Sequence, residues 1–283
     1  MRLPLTYIIV LTWNGRNDTL ECLKSLSEIN YPNHKIILVD NASEDGTVDA
    51  VSAQYPDVQV IINPTNLRFA AGNNAGIKQA ISEGAEYIVL LNNDTIVDKN
   101  FLSVLIESAE RDEKIGMAGP KIYYYGNADY LWYAGGRINW WSGWISHRGV
   151  REIDKGQYNT RCETDYITGC CLLVKRSVIE EIGLLDESYY IYGEDADWCI
   201  RAKRAGYKLI YEPSSRIWHK LSVSTGGHFS WFKNFNKFKS LIKLMYRYAR
   251  WYHWLTIPFG IVGEIFLSYL KIIGFQRFHS DAK

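Results

Sequence analysis

The sequence predicts an α/β fold, a mostly parallel sheet with helices on both faces, and three observations predict it. Short β-branched runs alternate with helical stretches of about ten residues between positions 6 and 91. A chain of 283 residues, 47% hydrophobic and 22% charged, has an ordinary globular balance and can bury a substantial core. The apolar runs end directly in polar turns, "LTWNG", "LVDNASEDGT" and "LLNNDT", where an open α/β sheet presents side chains to a ligand.

"TYIIVL" (6–11) and "KIILV" (35–39) read as strands, joined by a helix starting near Asn17, "NDTLECLKSLSEI", to make a βαβ unit. Gly46 leads the helix "GTVDAVSAQ", "DVQVII" (57–62) is the next strand, "AGNNAGIKQAISEG" the next helix, and "YIVLL" (87–91) a buried strand. Such alternation implies parallel neighbours with right-handed crossovers. After "KIGMAGPKIYYYG" the rhythm breaks into a Trp-, Tyr- and Gly-rich segment, 130–149, expected to form short antiparallel strands and loops over the site. A strand-like "TGCCLLVKR", a helix "SVIEEIG", a helix starting near Glu194 and a strand "YKLIYEP" follow.

The C-terminal quarter differs. Residues 1–212 carry 21 Lys+Arg against 29 Asp+Glu, whereas residues 213–283 carry 11 against 2. From His228 the chain reads as one long amphipathic helix, with Lys233, Lys237, Lys239, Lys243, Arg247 and Arg250 in an arc of about 160° and Phe235, Phe238, Leu241, Ile242 and Met245 opposite. Two arrangements satisfy this pattern: a helix lying on an anionic membrane, or one packed on the preceding domain with a solvated basic face. Pro258 and Glu264 interrupt the following apolar run and argue against a spanning helix.

Cys22, Cys162, Cys170, Cys171 and Cys199 are odd in number and form no CxxC pair, so reduced thiols in a cytoplasmic setting are expected. The N-terminal apolar stretch lacks a small-residue cleavage site and reads as a first strand, not an export signal.

The chemistry-bearing residues follow the strands. Asp40 and Asn41 would stand at the sheet's carboxyl edge, where an aspartate accepts from a base N–H or ribose hydroxyl and an asparagine both donates and accepts. A helix cap or Asx turn suits Ser43 or Asp45 better. Asn92, Asn93 and Asp94 end the most apolar strand, and a carboxylate there suits a hard divalent ion shared with substrate phosphates. Glu194, Asp195 and Asp197 fall in a helix's first turn, where the dipole tolerates them. Asp195 and Asp197 lie about 200° apart on that helix and cannot share a face. His219 follows the last strand, placed either to return to the cleft or to serve the core.

In order, "IIVLTWNG", "LVDNASEDGT", "NLRFAAGNNAGI", "VLLNNDT", "TGCCLLVKRSVIEEIGLLDESYYIYGEDADWCIRAKRAGY" and "IWH" resemble the family 2 glycosyltransferases, of Rossmann-like GT-A fold, over nearly all of residues 5–225. Within them the chain is most similar to rhamnosyltransferase-like and galactofuranosyltransferase-like members. The resemblance implies a 1–225 domain, with 1–120 binding the nucleotide sugar and 121–225 serving acceptor and catalysis, while the tail, 226–283, is expected at a membrane from its own basic and aromatic pattern. It implies that Asp40 and Asn41 bind base and ribose, that Thr12 and Trp13 wall the nucleotide, and that Asn93 and Asp94 meet the donor's diphosphate. Asn92 stands where the family has its first aspartate, and Arg68 where it has a glycine beside the nucleotide. Asp94 and His219 match metal-binding positions, for Mn²⁺ or Mg²⁺. Asp195 matches the general base of an inverting transfer, with Glu194 orienting acceptor or metal, and Asp197 with Arg201 is expected to hold the helix. Trp140, Trp141 and Trp144 would then offer faces to an acceptor sugar, and Arg137, His147 and Arg148 would meet its pyrophosphate. The implied partners are a nucleoside-diphosphate sugar, a glycan or lipid-linked acceptor and the inner face of the cell membrane, with no nucleic acid.

Two other classes fit less well. A nucleotidyltransferase typically needs a glycine-rich basic loop after the first strand, which "LTWNGRND" is not, and no GxGxxG supports a dinucleotide oxidoreductase. An inactive nucleotide-sugar-binding or scaffold protein remains the alternative to an enzyme.

Overall fold

In the computed structural model, residues 3–220 and 231–263 are described. The first half runs β1 (Thr6–Thr12), α1 (Arg16–Ser27), β2 (His34–Asp40), α2 (Thr47–Gln54), β3 (Gln59–Ile62), α3 (Arg68–Ser82) and β4 (Tyr87–Asn92). β1 lies between β2 and β4, parallel to both, and β3 extends the sheet beyond β2. The β1 side chains alternate between two cores: Ile8 and Val10 pack toward α1 and α4, Tyr7 and Ile9 toward α3, all four fully buried. Burial on both faces is why the strand reads as a continuous apolar run, and each buried aliphatic chain contributes about 2 kcal/mol.

The second half adds β5 (Thr95–Val97), α4 (Phe101–Glu110), β6 (Ile115–Tyr124), β7 (Asn127–Tyr133), β8 (Gly136–Asn139), β9 (Trp144–His147), β10 (Cys162–Glu163), β11 (Cys171–Lys175), α5 (Arg176–Ile182), α6 (Glu194–Arg204) and β12 (Lys208–His219). β11 is antiparallel between β4 and β6, so the loop entering it lies at the carboxyl edge of the parallel strands. β12 runs parallel to β6, and its last residues pair antiparallel with β5. The aromatic segment forms β7, antiparallel to β6, and the hairpin β8–β9, as its glycines and aromatics predict.

The tail departs from its expected form. Helix α7 (Trp231–Tyr248) ends at Tyr248, and after an extended Arg250 the chain continues as a 3₁₀ turn, Trp251–Leu255, and a helical segment over 257–263. α7 packs on the sheet domain, with Leu244 and Met245 fully buried. Three of its cations reach the domain while Lys239 is exposed: Lys237 and Lys243 lie over the rings of Tyr192 and Tyr189, and Arg247 pairs with Asp186 and Asp197. Phe235 and Phe238, expected inside, are 54% and 43% exposed. The reason is the domain surface beneath α7, which is acidic and tyrosine-rich and draws the basic residues inward. The Lys233 side chain, residues 226–230 and the run from Glu264 to the C-terminus lie outside the described residues. Among the described residues no helix is long and apolar enough to cross a membrane.

Candidate active site

The cleft is assembled at the carboxyl ends of β1, β2 and β4. Asp40 ends β2 opposite Thr12 and is almost fully buried. Its Oδ2 accepts the Ser43 N–H at 2.8 Å, while its Oδ1 is buried without a partner. A cavity of about 360 Å³ opens beside it, lined by Asp40, Ala42, Ser43, Gly46, Val48 and Ile62 among others. A buried carboxylate oxygen with an unmet bond beside such a space suits an incoming N–H or O–H donor.

Asn41 is committed to its neighbours. Its Oδ1 accepts from Asn63 at 2.8 Å and its Nδ2 donates to Asn66 Oδ1 and the Arg68 carbonyl, both at 3.2 Å. It thereby shapes the loop that enters α3. Gly72 makes this approach possible, since a Cβ there would lie 2.6 Å from Leu11 Cδ1 and 3.2 Å from the Asn41 amide. Arg68 holds a left-handed backbone, φ 65°, and its guanidinium lies 3.1 Å from the centre of the Tyr190 ring. Stacking uses the guanidinium face and leaves in-plane N–H groups for an anion.

Asn93 donates to Thr12 Oγ1 at 3.2 Å and Thr19 Oγ1 at 3.0 Å, and so ties the β1 loop to β4. That leaves Trp13 at the rim, 45% exposed. Asp94, nearly buried, meets His219 across the β5–β12 pairing, Oδ1 to Nε2 at 3.1 Å. The His219 Nδ1 is buried without a hydrogen-bond partner, and the Trp132 ring stands edge-on at 4.5 Å.

These two residues fit a hard divalent ion. Adjacent ligands of an octahedral ion with bonds of about 2.1 Å stand about 3 Å apart, close to the Asp94–His219 separation. Among the described residues no group of three His, Cys, Asp or Glu side chains forms a complete cage. A pair suits an ion that takes its other ligands from phosphate and water.

The acids of α6 separate as helix geometry requires. Tyr192 and Gly193 both hold left-handed φ and turn the chain into the helix. Asp195 accepts the Gly169 N–H at 2.9 Å and the Ala196 N–H at 2.8 Å. Gly169 sits in the loop entering β11, where a Cβ would meet the Phe69 ring at 2.6 Å. Burial raises the Asp195 carboxyl above the ordinary range, against those two N–H groups. Glu194, 6% exposed, is pushed up by burial and by the neighbouring Asp195 charge, to about 8, and its Oε2 has no partner. The loop entering β11 joins the two sides: Gly169 bonds Asp195, and the carbonyl of the next residue, Cys170, accepts the Asn92 N–H at 3.0 Å, two residues before Asp94.

Asp197 faces away. Fully buried, it accepts from Arg201 Nε at 2.9 Å, Tyr248 Oη at 2.7 Å, Arg247 at 3.3 Å and Tyr189 Oη at 3.3 Å. The expected pairing with Arg201 is present, extended to the tail.

The residues of the aromatic segment differ in their surroundings. The His147 ring lies against Trp132 and Tyr133, and burial lowers it to about 4, so at neutral pH it carries no charge for a pyrophosphate. Arg148 donates to the Ala134 carbonyl and the Cys162 sulfur and lies over Tyr211. Trp140 stacks on His253, and Trp141, 57% exposed, packs on Tyr252 and His253. Arg137 is exposed and Trp144 half-buried. Trp132, Gly169 and Cys170 were not singled out in the sequence. The alternation of β7, with half-buried Trp132 between buried Leu131 and Tyr133, is the signal that marks it.

A parallel α/β sheet with a pocketed aspartate, an Asp–His pair and a raised carboxylate at one edge defines a glycosyltransferase of GT-A fold. The model for "Glycosyl transferase family 2" matches residues 7–183, and the chain belongs to that family. It is 26% identical over 241 residues to the N-acetylglucosaminyl-diphospho-decaprenol L-rhamnosyltransferase of Mycobacterium tuberculosis, covering 77% of each chain. It is 25% identical over 225 residues to the dTDP-rhamnosyl transferase RfbF of Shigella flexneri, covering 76% of this chain and 69% of that one. Solved structures agree on the fold. A Pyrobaculum calidifontis mannosyltransferase in complex with GDP-Man and Mn²⁺ superposes with a TM-score of 0.63 at 18% identity, over 92% of this chain and 73% of that one. GalNAc-T7 with UDP, GalNAc and Mn²⁺ gives 0.64 at 18% identity, over 82% of this chain but 48% of that one.

Proposed function

We propose that this glycosyltransferase moves a sugar, with inversion, from a nucleoside-diphosphate sugar to a hydroxyl of a glycan or lipid-linked acceptor, in cell-surface polysaccharide or glycolipid synthesis. The observation that carries this reading is the sheet edge where Asp94 pairs with His219 and the Gly169–Cys170 loop links the end of β4 to Asp195. Residues 1–120 bind the donor in this reading, and residues 121–225 bring the acceptor and the base. The names of the two rhamnosyltransferase relatives favour a rhamnosyl group, a thymidine-diphosphate donor and a polyprenyl-diphosphate-linked acceptor.

Asp40 accepts an N–H or O–H from the nucleoside, through the oxygen that lacks a partner, and Asn41 holds the loop that closes on it. Thr12 and Trp13 wall the nucleotide, Asn93 fixes that wall, and Arg68 turns its in-plane N–H groups to the diphosphate while its face stays on Tyr190. Asp94 and His219 hold Mn²⁺ or Mg²⁺, which supplies positive charge to the leaving diphosphate. Asp195 takes the proton of the acceptor hydroxyl as that oxygen bonds to the anomeric carbon. The bond from that carbon to the diphosphate oxygen breaks, its electron pair leaving with the nucleoside diphosphate. A carboxyl with a raised pKa is the better base for this step. Glu194, kept protonated by its surroundings, orients the acceptor as a donor. Arg137, Trp140 and Trp144 border the acceptor side, with Trp132 nearest the metal pair.

The protein works at the cytoplasmic face of the cell membrane in this reading. Trp251, Leu255, Phe259 and Val262 are 66–79% exposed and suit insertion among lipid headgroups. The basic C-terminal quarter supports attraction to anionic lipid.

The test is nucleoside diphosphate release from a panel of nucleotide sugars with Mn²⁺ or Mg²⁺, with and without polyprenyl-linked acceptors. Release with a thymidine-diphosphate sugar that rises with acceptor supports the reading. No release with any donor returns the chain to an inactive scaffold.

A further inference from the structure

The segment that delivers Glu194 and Asp195, residues 184–193, has no strand or helix of its own. A stretch without ladder hydrogen bonds takes its position from side-chain contacts. Here many of those contacts come from α7. Ser240 Oγ donates to the Ile191 carbonyl at 3.1 Å, and Lys243 bonds the Ser188 hydroxyl while its ammonium lies 4.1 Å from the centre of the Tyr189 ring. Lys237 lies 4.8 Å from the Tyr192 ring centre. Arg247 bonds Asp186, at the start of the segment, and reaches Asp197, beyond its end. Tyr248 Oη closes the same buried carboxylate at 2.7 Å. A Cβ on Gly193, the residue that turns into α6, would lie 3.4 Å from Ser240 Cβ, so helix and loop are in direct contact.

We propose that α7 is a positioning element of the active site: Arg247 and Tyr248, acting through Asp197, and Ser240 and Lys243, acting on the 188–191 backbone and side chains, set the placement of Glu194 and Asp195. This rests on the reading of Asp195 as the base. Asp197 needs its donors because a buried carboxylate without them is costly, and it sits in the same first helical turn as Asp195. The donor-binding residues Asp40, Asp94 and His219 lie at the end of β2, in the turn before β5 and at the end of β12, none of which α7 holds in these contacts. Arg68, on the donor side, meets the clamped segment through Tyr190, so loss of the clamp lowers turnover more than it lowers donor affinity. A misplacement of about 1 Å costs on the order of 10²-fold in rate.

The experiment compares the full-length protein with Arg247→Ala, Arg247→Lys and Tyr248→Phe, reading turnover, nucleotide-sugar affinity and amide hydrogen exchange. The expected result for Arg247→Ala is a fall in kcat of about tenfold or more, a rise in donor Kd several times smaller than that fall, and faster exchange confined to residues 186–195. Arg247→Lys restores most of the rate, and Tyr248→Phe, which removes one hydroxyl, shows the same pattern more weakly and serves if Arg247→Ala does not fold. Unchanged kcat and exchange overturn the proposal, as does equal loss of donor affinity and kcat with exchange raised across β1 and β4. If Asp195→Asn turns over like the parent, the base assignment fails. Exchange raised only at 186–195 in Arg247→Ala then still upholds the clamp on this segment, and its absence overturns it.

Discussion

Asp94 and His219 stand 3.1 Å apart because β12, after running along β6, ends in an antiparallel pairing with the three-residue β5 that follows Asp94. The pairing sets His219 opposite Thr95, one residue from the carboxylate, and the Lys220 N–H bonds the Asp94 carbonyl at 2.8 Å. Two short ladders thus bring one nitrogen and one oxygen side by side.

Asp94→Asn and His219→Ala each raise the metal concentration needed for half-maximal activity by about tenfold or more. Chelation abolishes transfer by the parent, and added Mn²⁺ restores it. Titration of activity against Mn²⁺ decides the matter, and a curve unaltered in His219→Ala returns that residue to a structural role.

Asp195→Asn lowers turnover by at least about 10²-fold while donor binding persists. Gly169→Ala forces the Phe69 ring or the Asp195-bonding N–H to move and lowers turnover less. Steady-state rates beside nucleotide-sugar affinity separate the two effects. An Asp195→Asn protein with parental turnover removes it as the base.

Both acids at the start of α6 are raised, which fixes the sign of two pH effects. Activity rises with pH through a midpoint above the ordinary carboxylate range, since Asp195 accepts a proton only when ionised. Stability moves the other way. Glu194 binds its proton more tightly folded than unfolded, so its contribution is full below the unfolded value near 4.5 and is lost as pH rises toward about 8. In Glu194→Gln, thermal melting between pH 5 and 8 falls less with rising pH than in the parent, and parallel profiles would contradict the assignment.

Gly72→Ala destabilises the protein by about 1–3 kcal/mol, because the new methyl lies within 2.6 Å of Leu11 and presses on the Asn41 amide. Urea denaturation measures this, and a loss below about 0.5 kcal/mol shows that α3 shifts freely.

Trp251→Ser with Phe259→Ser weakens sedimentation with anionic vesicles by about tenfold or more, with melting temperature unchanged, both side chains being 79% exposed. Undiminished binding sinks this face as the membrane contact.

The sequence by itself determined the alternation of strands and helices up to residue 91, the burial of β4 and the polar turns that bear Asp40 and Asp94. Each rests on local periodicity or on an abrupt end to an apolar run. Helical spacing likewise separated Asp195 from Asp197. α4 and β5 went unassigned, since a three-residue strand has too little pattern to register. Only the tertiary structure decided that His219 reaches Asp94, that His147 is neutral between aromatic rings, and that Arg148 serves a turn. It also decided that Lys237, Lys243 and Arg247 of α7 meet Asp186, Asp197 and two tyrosines. Periodicity tells which side of a helix is charged. What that side meets is set by strand pairing and packing between residues far apart in the chain, and the meaning of a charge depends on what it meets.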